Sequence, residues 1–96
     1  MTIELIKSIL DNSAINIKDK FDVKKIGIFG SFARNEQTES SDVDIVVEFE
    51  KTPGLIRFIQ LEEYLEELFN RKVDLVTFKS INKKIEEQIL KEVIFI

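Results

Sequence analysis

The sequence predicts an α/β (α+β) domain, a small three-stranded sheet flanked by helices, occupying residues 1–96 as a single unit. Three observations predict it. The runs Val23–Phe29 (VKKIGIF), Val43–Phe49 (VDIVVEF) and Val73–Phe78 (VDLVTF) have the length and β-branched content of strands. Around them, apolar residues recur at helical spacing. Breakers mark the junctions: Gly30 stops the first strand, and Pro53-Gly54 is the clearest punctuation in the chain.

Leu5, Ile6, Ile9 and Leu10 predict an opening amphipathic helix, with the polar stretch Asp11–Asn16 expected to interrupt or end it. A short helical turn is expected over Phe32–Glu36, then a polar loop over Gln37–Ser41. After Pro53-Gly54, Phe58, Leu61, Leu65, Leu68 and Phe69 form one helical stripe, with Glu62, Glu63, Glu66 and Glu67 on its wet side. Ile81, Ile85, Ile89 and Val93 mark a closing helix. The apolar tail Val93–Ile96 either completes the core, the favoured reading, or docks a partner. The expected order is α-β-(α)-β-α-β-α, and helices packed on one sheet suit this length.

Composition narrows the chemistry. The chain has no cysteine and no histidine, which removes disulfides, thiol catalysis, zinc fingers and Ser-His-Asp triads together. What remains is carboxylates, hydroxyls, Lys, Arg and backbone amides, and such hard oxygen donors favour magnesium, manganese or calcium. A net charge of −4 argues against broad binding to a nucleic-acid backbone, which needs clustered Lys and Arg. No run approaches the roughly 18 apolar residues of a membrane span. The N-terminus does not read as a signal peptide, so a cytoplasmic location is the default expectation.

The stretch Gly30–Val47, GSFARNEQTESSDVDIVV, concentrates the functional signal. Alternate residues of a strand project to one face, so Asp42 and Asp44 stand side by side, close enough to share a divalent cation. Gly30 permits close backbone approach and unusual dihedrals. Ser31 adds a hydroxyl and an N–H where a helix begins, a place that favours anions. Asp74 shares a face with Val76 and Phe78. If its strand neighbours the second, it joins the pair as a further metal ligand or as acceptor of a hydroxyl proton. Two metals can stabilise both attacking and leaving oxygens, and crowded carboxylates should raise one pKa. Taken singly, a Gly-Ser step is usually a turn and a D-x-D usually a solvated strand start. Their order and spacing together carry the reading.

That pattern resembles the G-S-x-A-R-G-x(5)-S-D-x-D-[LI]-x-V signature of minimal nucleotidyltransferases, in the DNA polymerase β-like superfamily. The lead-in VKKIGIFGS, the segment FNRKVDLVTF and the tail IEEQILKEVIFI look like the same family, so the resemblance covers nearly the whole chain. It implies a mixed sheet with the polymerase β-like fold. It also implies magnesium-dependent use of ATP, with Asp42, Asp44 and Asp74 as catalytic and metal-binding residues for two ions. Gly30 and Ser31 are implied to bind phosphate. Arg34 and Ser41 match motif positions and join them in the nucleotide-binding set. Spacing gives Arg34 no role of its own, and Ser41 most simply orders the turn before Asp42. Asn35 and Asn70 stand where the family usually has Gly; Asn is the non-glycine residue that best tolerates a left-handed backbone.

The resemblance further implies a partner, a HEPN-domain toxin, onto a tyrosine of which the nucleotidyltransferase transfers AMP as antitoxin. Two alternatives stand beside this. One is an antitoxin that neutralises by binding alone. The other is a nucleotidyltransferase with a small-molecule acceptor, weakened by the lack of room for a substrate-gripping domain.

Overall fold

The computed structural model describes residues Met1–Ile96. Its elements are α1 (Ile3–Phe21), β1 (Val23–Phe29), α2 (Gly30–Ala33), β2 (Val43–Phe49), α3 (Leu55–Phe69), β3 (Val73–Thr77), a 3-10 turn over Phe78–Ser80, α4 (Lys83–Glu92) and β4 (Ile94–Phe95). The sheet order is β3-β2-β1-β4. β1 runs antiparallel to both β2 and β4, and β2 runs parallel to β3 through the α3 crossover. The sheet is therefore mixed, as expected, with four strands in place of three.

The tail completes the core, as favoured, and does so by adding a fourth strand that the sequence reading did not count. Two residues are too few for an alternation to show in sequence. Gly27 on β1 makes room for them: a Cβ there would lie 2.6 Å from Val93 Cγ2 and 3.0 Å from Phe95 Cδ1. Gly27 pairs with Phe95 and Ile28 with Ile94, and the Ile96 N–H donates to the Ile26 carbonyl at 3.0 Å. Ile96 then packs against the core. Val93 is extended and ends α4, and Ile81 precedes it, so the closing helix keeps only Ile85 and Ile89 of the four apolar markers.

α1 also departs from expectation. It continues through Asp11–Asn16 to Phe21, because Ile6, Leu10, Ile17 and Phe21 are all buried and in phase. Leu10 and Ile17 are seven residues apart, close to two turns, and the half-buried Ser13 and Ala14 bridge the stripe between them. Burial of one face stabilises a helix more than propensity does. Thr2 caps its start by accepting the Leu5 N–H at 3.2 Å.

The core lies where α1 and α3 meet the sheet. Leu61, Leu65 and Phe69 of α3 face Ile26 and Ile28 of β1, Val43, Ile45 and Val47 of β2, and Val73 and Leu75 of β3, with the α1 stripe beside them. The alternation on β2 matters for function. Val43, Ile45 and Val47 point into this core, so Asp44, between them, points to the opposite face.

Both asparagines at expected glycine positions take left-handed conformations, Asn35 with φ 58° and Asn70 with φ 49°. Asn35 ends α2 early, at Ala33 where the turn was expected to reach Glu36; Asn70 caps α3. Glu66 is not simply solvated, since its Oε2 accepts the Val73 N–H at 3.1 Å and ties α3 to the start of β3. Asn70→Ala is expected to lower unfolding free energy by about 1 kcal/mol, and Asn70→Gly to leave it unchanged or raised. Chemical denaturation of the three proteins checks this.

Candidate active site

The site is a row across the sheet. Phe29, the last residue of β1, pairs with Asp44 on β2, and Asp44 pairs with Asp74 on β3. Parallel pairing in register sets two aspartates side by side on the face away from the main core. The third strand does neighbour the second, which meets the condition the sequence left open, and Asp74 stands beside Asp44.

Gly30 follows Phe29 with φ 75°, a left-handed conformation that side chains resist. A Cβ at this position would lie 2.0 Å from Asp44 Oδ2, so the chain must carry glycine here for the carboxylate to stand where it does. α2 begins at this residue and is anchored by Phe32, which is wholly buried. Ser31, also on α2, is half-buried, and its carbonyl accepts the Glu36 N–H at 2.8 Å.

Asp42 stands just before β2, 3.9 Å from Lys72 Nζ. The approach to it is braced from the α3–β3 turn: the Val43 N–H donates to the Lys72 carbonyl at 3.0 Å, and Arg71 Nη1 donates to the Ser41 carbonyl at 2.8 Å. Arg71 also lies over the Phe32 ring. Ser41 Oγ accepts the Thr38 N–H at 2.8 Å, the turn-ordering role expected of it.

The Asp44 carboxyl is pushed up from its ordinary 3.8 to about 6. Burial is the main cause. Repulsion from Asp74 follows, then a hydrogen bond with the Asp74 carboxyl that favours the protonated form, then repulsion from Asp42; Arg34 opposes weakly. Asp44 is half-buried and crowded by its acidic neighbours, and a bound cation would relieve that. Hard oxygen donors at this density fit a divalent cation such as magnesium. No three of the acidic side chains converge as a ready cage, and Asp42 lies 3.9 Å from Lys72 Nζ. Asp42, Asp44 and Asp74 are the residues that would hold one.

Beside Asp44 a cleft of about 250 Å³ is lined by Phe29, Gly30 and Arg34 and, across from them, by Ile85, Gln88, Ile89 and Glu92 of α4. Sequence reasoning missed the α4 residues as site members. Glu92 lies 62 residues from Gly30 and 58 from Arg34, yet it accepts from both, at 3.3 Å from Gly30 N and 2.8 Å from Arg34 Nη1. Arg34 Nε also donates to Glu36 at 2.6 Å. No local motif marks Glu92. A wider hollow of about 580 Å³, between Glu63 and Lys72, has no apolar wall to hold a base.

The model of a nucleotidyltransferase domain matches residues 12–96. The chain belongs to this family. It is an enzyme of the nucleotidyltransferase class, and its Asp44–Asp74 row and adjoining cleft lie on a fold that relatives share. Protein adenylyltransferase MntA of Thermococcus cleftensis is 46% identical over 96 residues, covering 100% of this chain and 97% of that protein. A solved structure assigned as a minimal nucleotidyltransferase superposes with a TM-score of 0.82 at 30% identity, covering 98% of this chain and 95% of that one. A crystal structure of a toxin–antitoxin complex with AMP-PNP superposes with a TM-score of 0.74 at 25% identity, covering 88% of this chain and 70% of that one. No helix is long and apolar enough to cross a membrane.

The raised Asp44 pKa gives a signed prediction. An acid with a higher pKa folded than unfolded binds more protons when folded between those two values, so it costs stability as pH rises through them. Removing the charge with Asp44→Asn should therefore stabilise the metal-free protein above pH 6, by about 1 kcal/mol after allowance for solvent screening. The gain should shrink steeply as pH falls from about 6 through 3.8, as the carboxyl becomes protonated first in the folded and then in the unfolded state. Thermal unfolding in chelator at pH 8 and pH 3.5 checks both halves.

Proposed function

We propose that this protein transfers AMP from ATP to a hydroxyl of a partner protein, a HEPN-domain toxin by the resemblance of its signature, and so acts as antitoxin. The observation that carries this is the in-register Asp44–Asp74 pair beside Gly30, opening onto a cleft. The 46% identity to a protein adenylyltransferase supports a protein acceptor, and the toxin–antitoxin structure with AMP-PNP supports a nucleotide and a partner on this fold. A tyrosine acceptor rests on the sequence resemblance.

The residues divide the work by position. Asp44 is half-buried at the centre of the row and Asp74 is exposed at its outer side. Asp74 is thus the carboxylate an incoming hydroxyl would meet first, and the one placed to accept its proton. The acceptor oxygen bonds to the α-phosphorus as the bond from that phosphorus to the bridging oxygen breaks, and pyrophosphate leaves. Gly30 and Ser31 lie where phosphate oxygens would approach the backbone. Ser41 and Arg71 hold the turn that presents Asp42. Magnesium held by Asp42, Asp44 and Asp74, as one ion or two, would neutralise phosphate charge and align the α-phosphorus with its attacker.

Asp44→Asn is expected to abolish transfer while the cooperative thermal transition persists, because Asp44 lies outside the core. Intact-mass measurement of the co-expressed partner reads the first effect: wild type should add one or more AMP masses and the variant none. Neutralisation that survives Asp44→Ala with no added mass would instead mean neutralisation by contact. Calorimetry should show ATP binding that depends on magnesium; equal affinity in chelator would count against the metal assignment.

A further inference from the structure

We infer that Glu92 is an internal anion that closes the phosphate cradle formed by Gly30 and Arg34, and that the nucleotide's polyphosphate must displace it to bind. This deepens the nucleotide-binding reading of Gly30 and Arg34 and rests on it.

Three observations carry the inference. The first is occupancy. Glu92 takes two donors that line the cleft, the Gly30 N–H through one carboxylate oxygen and Arg34 Nη1 through the other. Glu36 takes Arg34 Nε, so two carboxylates share one guanidinium and no positive charge is left over for an incoming phosphate. The second is burial. The Glu92 side chain is 15% exposed and Glu36 is 62% exposed, so Glu92 is fixed in the cleft and Glu36 is not. The third is helix electrostatics. Glu92 is the last residue of the ten-residue α4. The carbonyl end of a helix favours cations, so an acid there works against the helix and depends on Arg34 and Gly30 for compensation. Displacing it removes that compensation at the last turn of α4, so ligand binding should be felt there.

A carboxylate carries one negative charge and reaches two donors. A triphosphate carries several charges and more acceptor oxygens, so it can outcompete Glu92 where a single weak anion cannot. The latch therefore selects for polyphosphate and keeps Arg34 paired when none is bound.

The test is calorimetric titration of the full chain with magnesium tripolyphosphate, for wild type, Glu92→Gln and Glu87→Gln. Glu87 is exposed on α4 and does not line the cleft, so it matches the charge change alone. Glu92→Gln should bind about tenfold tighter than wild type, as expected for removing a charge-assisted competitor, and Glu87→Gln should stay within about twofold. A second readout is the side-chain carboxyl carbon-13 resonance of Glu92, which should move to a free-carboxylate position as tripolyphosphate saturates the wild type. Tripolyphosphate that binds without moving this resonance, or with Glu92→Gln no tighter than Glu87→Gln, overturns the latch and leaves the nucleotide site standing. If neither tripolyphosphate nor ATP binds any of the three proteins while all unfold cooperatively, the nucleotide reading and the latch fall together.

Discussion

The parallel register of β2 and β3 puts Asp44 against Asp74, two carboxylates that repel each other, on a face that is only partly wet. Most of the remaining architecture serves to impose that contact. The hydrophobic half of β2, Val43, Ile45 and Val47, locks the strand's rotation against α1 and α3, and a strand shifted by one residue would bury the aspartate. α3 supplies the crossover that makes the parallel pairing possible. Glu66 and the Lys72 carbonyl tie its far end to β3 and β2 at the residues just before the acids. The core thus stabilises the fold and holds two carboxylates in an arrangement that costs free energy.

Much of this was legible in sequence because it is local. β1 and β2 occupy the expected residues, since each is bounded by an unambiguous breaker or turn and rich in β-branched residues. Strand periodicity places Asp44 on the face opposite the core, though Asp42 lies just before the strand, and the left-handed Asn35 and Asn70 were foreseeable from what asparagine tolerates. Whether Asp74 joined them depended on strand order, which no local pattern encodes.

What escaped was set by tertiary contact. α1 runs through a polar stretch because its stripe is completed by the small residues Ser13 and Ala14, whose burial has no strong hydrophobic signature. β4 has two residues, and the clue to it lies on another strand, in the missing side chain of Gly27. Glu92 belongs to the site only because β4 fastens to β1 and brings the end of α4 across the mouth of the cleft. In the linear sequence it is one acid among eighteen acidic residues.

The long reach of Glu92 also orders events during synthesis. The carboxylate row is complete once residues up to Thr77 have left the ribosome and α3 has let β3 pair with β2. The facing wall of the cleft is encoded by the next fifteen residues and is secured only when Ile94 and Phe95 zip onto β1, more than sixty positions earlier in the chain. Contacts of such separation close late, after the entropy of the intervening loop has been overcome. A nascent chain therefore carries exposed, mutually repelling acids before it carries the pocket that uses them.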